Sequence, residues 1–169
     1  MITFRPLSRD DVPFLTEVRN ECAEQYLHTS SKFSVDDAYK WFDNNKPMFY
    51  TILYNDIKIG YFRITNYSAV NKNLYIGADL HKDYRGKGLA FDAYRKFIPY
   101  LFDHYNLHKI SLEVLSTNIR AYNLYVKLGF VPEGAKRDEV LKNDMYVNSV
   151  VMSILRSEFE ANSLYKSGS

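Results

Sequence analysis

A chain of 169 residues, 46% hydrophobic and 16% aromatic, is long enough to bury one core and too apolar to be a disordered chain. Its net charge is only +2, and the 22 Lys and Arg are scattered among 20 Asp and Glu, so no basic face for nucleic acid is expected. No apolar run approaches the ~20 residues of a membrane helix, and Cys22, the one cysteine, excludes an internal disulfide and suggests a reducing compartment.

The N-terminal MITFRPLSRDD lacks a basic segment followed by an apolar run, so no signal peptide is expected and the cytoplasm is the expected location. ITFRPL reads as a first strand. Ser8, with Asp11 three residues on, reads as a helix N-cap, and Val12, Leu15, Val18 and Cys22 follow at helical spacing. Ser34 and Asp37 repeat the pattern before a second short helix. MFYTILY and IKIGYFRIT, joined by Asn-Asp, read as a hairpin, and NYSAVNKN as a polar loop. LYIGADL is the next strand. A long amphipathic helix, LAFDAYRKFIPYLFDHY, follows HKDYRGKG, with Pro99 expected to distort it. KISLEVL reads as a strand, NIRAYNLYVKLG as a helix stopped by Gly129, and the two segments around 130–155 as a closing strand pair. The division expected is a domain over 1–157 and a tail over 158–169, with SLYKSGS frayed. The order predicts an α/β sheet, partly parallel and partly antiparallel.

YRGKG raises a chemical question, because a Gly-rich turn opening a helix is suited to phosphate. A Walker loop fails, since Leu89 and Ala90 follow Gly88 where GK[ST] is needed. A dinucleotide fingerprint fails at Phe91, where the third glycine belongs. Two readings stay open: a pyrophosphate held by successive amides of Arg85, Gly86, Lys87, Gly88, Leu89 and Ala90, with Arg85 and Lys87 adding charge, or a tight strand–helix turn alone.

Together, LHKDYRGKGLA and LEVLSTNIRAYNLYVKLGF (residues 112 to 130) resemble the GNAT superfamily of acetyl-CoA-dependent N-acetyltransferases. The resemblance covers nearly the whole chain in element order. It implies a single-domain GNAT fold, with a mixed central sheet of about seven strands flanked by helices. It implies acetyl-CoA as co-substrate, no metal, and the pyrophosphate on the amides of residues 85 to 90. It also places the pantetheine arm along Asp79, Leu80 and His81, with an amide near Leu80 polarising the thioester. Asn118 would contact the pantetheine or phosphate arm, Lys127 would reach the ribose phosphate, and Tyr125 would lie near the sulfur.

The chemistry needs a base, because an alkylamine with a pKa of about 10.4 arrives protonated, and an acid for the leaving thiolate. Tyr122 and Tyr125 share a helix face; the family pattern, with the acid five residues before the Phe of GF, selects Tyr125. Glu113 is the candidate base, in an LEV that resembles the ribosomal-protein alanine N-acetyltransferases. On a strand it faces away from Leu112 and Val114. Asp79, His81 or a water chain are the alternatives.

The expected partner is a small-molecule amine, with no nucleic acid and no membrane, for a monomer or homodimer. The segments 18–42 and 133–155 resemble a subgroup that includes acetyltransferases of nucleotide-linked 4-amino-sugars, polyamines and ribosomal N-termini, and fit the amino-sugar group best. Arg19 and Arg137 would meet a diphosphate, and Tyr26, Trp41 or Phe42 a ring. The alternatives are a polyamine or protein N-terminal acceptor and, in another class, an acetyl-CoA-binding module without catalysis.

Overall fold

The computed structural model describes residues 1–23 and 26–166. Its strands are β1 (Ile2–Pro6), β2 (Tyr50–Tyr54), β3 (Ile57–Ser68), β4 (Asn73–Leu80), β5 (Lys109–Leu115), β6 (Val131–Lys142) and β7 (Met145–Leu155). Its helices are α1 (Val12–Cys22), α2 (Val35–Asn45), α3 (Leu89–His104), α4 (Ile119–Lys127) and α5 (Arg156–Ala161). Seven strands form one sheet in the order β1-β2-β3-β4-β5-β7-β6. β4 and β5 pair in parallel, while β1–β2, β2–β3, β5–β7 and β6–β7 are antiparallel. This is the mixed α/β sheet expected. Asn-Asp turns the β2–β3 and β6–β7 hairpins: Asn55, Asp56, Asn143 and Asp144 all have positive φ, the twist that suits a two-residue turn between antiparallel strands. β3 and β4 take up much of the segment read as a loop, leaving four residues between them.

The chain divides into two compact units, Met1–Ile64 with Gly77–Ala90, and Thr65–Ile76 with Phe91–Ser169. In the first, α1 buries Leu15, Val18 and Cys22 against Leu7, Leu27 and Tyr61, and Phe14, Trp41, Phe42 and Phe49 pack on that cluster. Half of the capping pattern forms at Ser8, where the Asp11 carboxylate accepts the Ser8 N–H at 2.9 Å and its hydroxyl at 3.1 Å while the Asp11 N–H turns to the Ser8 carbonyl, and Ser34 accepts the Asp37 N–H at 3.1 Å. In the second, α3 runs through Pro99 and buries Ala93, Tyr94, Phe97, Ile98, Leu101 and Phe102, an apolar stripe at helical spacing.

The C-terminal residues differ from the frayed tail expected. α5 brings Phe159 onto Phe102, with centroids 4.5 Å apart, and Arg156 donates to the Leu107 and Phe102 carbonyls at 2.7 Å. Ser163–Tyr165 forms a 3-10 turn whose Tyr165 hydroxyl donates to the Leu128 carbonyl at 2.5 Å. Aromatic burial offsets the ordering cost that polar flanks alone would not. The last three residues lie outside those described.

Candidate active site

In the first unit, the chain leaves β4 through a 3-10 turn at Lys82–Tyr84 and reaches α3 at Leu89. The Arg85 N–H turns back to the Lys82 carbonyl at 3.4 Å, so the row of amides starts at Gly86 rather than Arg85. Gly86 and Gly88 have φ of 74° and 76°, a region that other residues enter at a cost. The N–H groups of Gly86, Lys87 and Gly88 meet no acceptor among the described residues. Those of Leu89 and Ala90 open α3 and have no partner within the helix. A Cβ built on Gly88 would meet open space. Successive unfilled donors at a helix start fit a pyrophosphate.

The Arg85 side chain does not supply the expected phosphate charge. It donates to the Leu80 carbonyl at 3.0 Å and to Cys22 Sγ at 2.9 Å, pairs with Glu21 at 3.2 Å and lies 5.3 Å over the Tyr26 ring. The guanidinium therefore pins the loop to the end of α1. Burial, then the Asp79 charge, push the Cys22 thiol up to about 11, although Arg85 opposes this.

The His81 N–H donates to the Ile59 carbonyl on β3 at 2.7 Å, so strand alternation aims the Leu80 N–H at the other edge of β4. The β4–β5 ladder covers only Asn73 to Tyr75. His81 Nδ1 accepts the Asp83 N–H at 3.2 Å, which leaves Nε2 carrying the hydrogen in the neutral ring, 3.4 Å from Glu17. Asp79, read as an acceptor-side residue or base, is buried and ion-paired with Arg63 Nε at 3.1 Å. Gly77 makes room for that guanidinium: a Cβ there would lie 2.5 Å from Arg63 Nη2. Burial, then the Asp79 charge, push the Tyr61 hydroxyl well above its usual value. A carboxylate so engaged is part of a buried polar cluster rather than a poised base.

The acceptor candidates on α1 and α2 have local partners. Arg19 lies 3.8 Å over Phe33 and donates to the Ser31 carbonyl at 2.7 Å. Trp41 packs edge-on against Phe49, itself stacked on Tyr61, so it lies half-buried against the core. Tyr26 is exposed.

In the second unit, α4 carries Tyr125 inward. Its ring meets Tyr94 and Phe130 edge-on, at 5.7 and 6.0 Å, and it is 9% exposed. Asn118 spends its Oδ1 on the Ala121 N–H at 3.2 Å as the N-cap of α4, and Lys127 is exposed in the last turn. Glu113 stands on β5 between buried Leu112 and Val114, with its side chain 24% exposed. Its Oε1 accepts from Ser149 on β7 and pairs with Lys136 on β6, each at 3.0 Å. Arg137 lies on an irregular stretch of β6, where Asp138 has φ of 48° and its N–H donates to Asn148 Oδ1 at 2.8 Å.

Sequence reasoning missed Arg63, Tyr94, Lys136 and Ser149. Only the alternation of β3 and β4 could have hinted that Arg63 and Asp79 share a face. The other contacts come from register and helix packing, which no local pattern encodes. Among the described residues, no helix is long and apolar enough to cross a membrane, and no group of three or more His, Cys, Asp and Glu could hold a metal ion.

Residues 1–131 match the family model described as an acetyltransferase (GNAT) domain. The spermidine N(1)-acetyltransferase of Escherichia coli (strain K12) is 26% identical over 165 residues, covering 95% of this chain and 89% of that protein. A Bacillus subtilis (strain 168) protein named as a candidate ribosomal N-acetyltransferase, YdaF, is 30% identical over 109 residues, 64% of this chain and 60% of its own length. Among solved structures, the spermidine N-acetyltransferase of Vibrio cholerae in complex with CoA and spermine superposes with a TM-score of 0.88 at 25% identity, covering 94% of this chain and 98% of that one. The chain belongs to the GNAT acetyltransferase family and is an acetyl-CoA-dependent N-acetyltransferase.

Proposed function

We propose that this enzyme transfers acetyl from acetyl-CoA directly to a primary amine of a polyamine, within a ternary complex. The observation that carries this is likeness over nearly the whole chain to spermidine N-acetyltransferases, one of them solved with CoA and spermine. It replaces the amino-sugar acceptor as the main reading. Two supports of that reading have other partners, Trp41 on Phe49 and Arg19 on Phe33. A polyamine is multiply protonated near neutrality, so it calls for carboxylates. Glu17, with its side chain 64% exposed, and the exposed Asp36 and Asp37 supply them on α1 and α2.

Acetyl-CoA supplies the activated acetyl thioester. The N–H groups from Gly86 to Ala90 hold its pyrophosphate, and the Leu80 N–H donates to the carbonyl oxygen, where a backbone donor is worth about 3 kcal/mol. Glu113, kept in place by Ser149 and Lys136, takes the amine proton directly or through a water. Tyr125 gives its proton to the leaving thiolate.

The test is CoA release, with products identified by mass spectrometry, for spermidine, an alanine-N-terminal peptide and a UDP-amino-sugar. Acetylated spermidine formed at least tenfold faster than the others is expected. Faster acetylation of the peptide or the sugar would overturn the polyamine reading.

A further inference from the structure

Two tyrosine hydroxyls meet inside the unit that carries α4. Tyr94 Oη on α3 lies 3.4 Å from Tyr125 Oη, and the rings cross at 86°. Tyr94 is 1% exposed. It belongs to the apolar stripe of α3, where a phenylalanine would fill the same space, so packing alone does not call for its oxygen. Burying a hydroxyl costs free energy unless it finds a partner. The Tyr94 oxygen faces the side chain that the proposed mechanism makes the acid.

We propose that Tyr94 is a positioning residue that acts through Tyr125, fixing its hydroxyl and stabilising the phenolate left when Tyr125 gives up its proton. This rests on the reading of Tyr125 as the acid. In the step, the Tyr125 O–H bond breaks as an S–H bond forms on the leaving thiolate. The O–H electron pair stays on Tyr125, and Tyr94 keeps its own proton while donating a hydrogen bond. Solvent then returns a proton to Tyr125.

The observed spacing suits this role. At 3.4 Å the contact is long for two neutral hydroxyls, which prefer about 2.7–2.8 Å. A hydroxyl donating to an anionic oxygen draws in to about 2.5–2.7 Å and is roughly twice as strong. The interaction therefore grows as charge develops, and only such an interaction speeds the chemical step. Phe130, edge-on at 6.0 Å on the same Tyr125 ring, limits its swing.

The test is Tyr94→Phe, alone and combined with Tyr125→Phe, assayed with the fastest amine of the panel above. The expected result is about a tenfold loss of kcat, with KM for acetyl-CoA and for the amine within about twofold of wild type and no further loss in the Tyr125→Phe background. Tyr94→Met, which also lacks the hydroxyl, must show at least the same loss of kcat and the same lack of further loss when combined with Tyr125→Phe. Wild-type kcat in Tyr94→Phe beside an impaired Tyr125→Phe would overturn the proposal and leave Tyr125 as the acid. Wild-type kcat in Tyr125→Phe would overturn both. Losses that add fully in the double variant, or a rise in KM without a fall in kcat, would assign Tyr94 to packing alone.

Discussion

Lys136 Nζ lies 3.0 Å from Glu113 Oε1, linking β6 to β5 beside Ser149 of β7. The hydrogen bond to Glu113 is the first cause that holds the Lys136 ammonium above the usual lysine value. The pairing is mutual, because a cation beside a carboxylate favours its ionised form. If Glu113 is the base, it must be ionised to accept a proton. Lys136→Met should then keep Glu113 protonated to higher pH and move the acid limb of kcat/KM upward. Glu113→Gln should lower kcat by about 10²-fold or more. A pH–rate series on both variants checks this; unchanged profiles and rates would remove Glu113 from the mechanism.

The amide cradle makes a separate prediction. Gly88 has φ of 76° with open space where a Cβ would sit. Alanine there meets no clash but must hold a left-handed conformation at about 1–2 kcal/mol. Gly88→Ala should raise KM for acetyl-CoA by about tenfold while leaving KM for the amine nearly unchanged. Steady-state kinetics with each substrate varied would show the split.

Asp11 makes a stability prediction independent of catalysis. It is fully buried, and burial alone would push its carboxyl up. Arg5 at 2.6 Å, Lys58 at 2.7 Å, the Ser8 N–H at 2.9 Å and Thr51 at 2.8 Å outweigh that and hold it well below the usual carboxylate range. A folded value below the unfolded one stabilises the fold above about pH 3.9, and the contribution is lost as pH falls from there toward the folded value. Asp11→Asn should cost about 3 kcal/mol near neutrality by leaving two cations without their carboxylate. Thermal melts from pH 7 to pH 2 should show the wild type losing more on acidification than Asp11→Asn.

Much of the fold was legible because its signals are local. Asn-Asp turns, Ser caps and helical spacing each act within a few residues, and the first hairpin and the first four helices could be placed from them. The cradle was legible from Gly86 and Gly88, since positive φ and close approach leave a glycine signature. The side-chain roles were less so. Arg85 reads as a phosphate cation in sequence, yet its guanidinium turns to Leu80 and Cys22. Trp41 is a candidate ring platform in sequence, though adjacent large apolar residues more often pack inward, and its contact with Phe49 is set by the fold. Lys136 and Ser149 reach Glu113 through the pairing of three strands, a relation set by register. The ordered C-terminus depends on Phe159 finding Phe102, a partner some 57 residues away in sequence.

The most direct test of the central claim is an initial-velocity grid, with acetyl-CoA and spermidine both varied and CoA release followed. Direct transfer in a ternary complex predicts saturation in each substrate and reciprocal plots that intersect. Parallel lines would point to an acetyl-enzyme and contradict direct attack, and CoA release that does not respond to spermidine would contradict the polyamine acceptor.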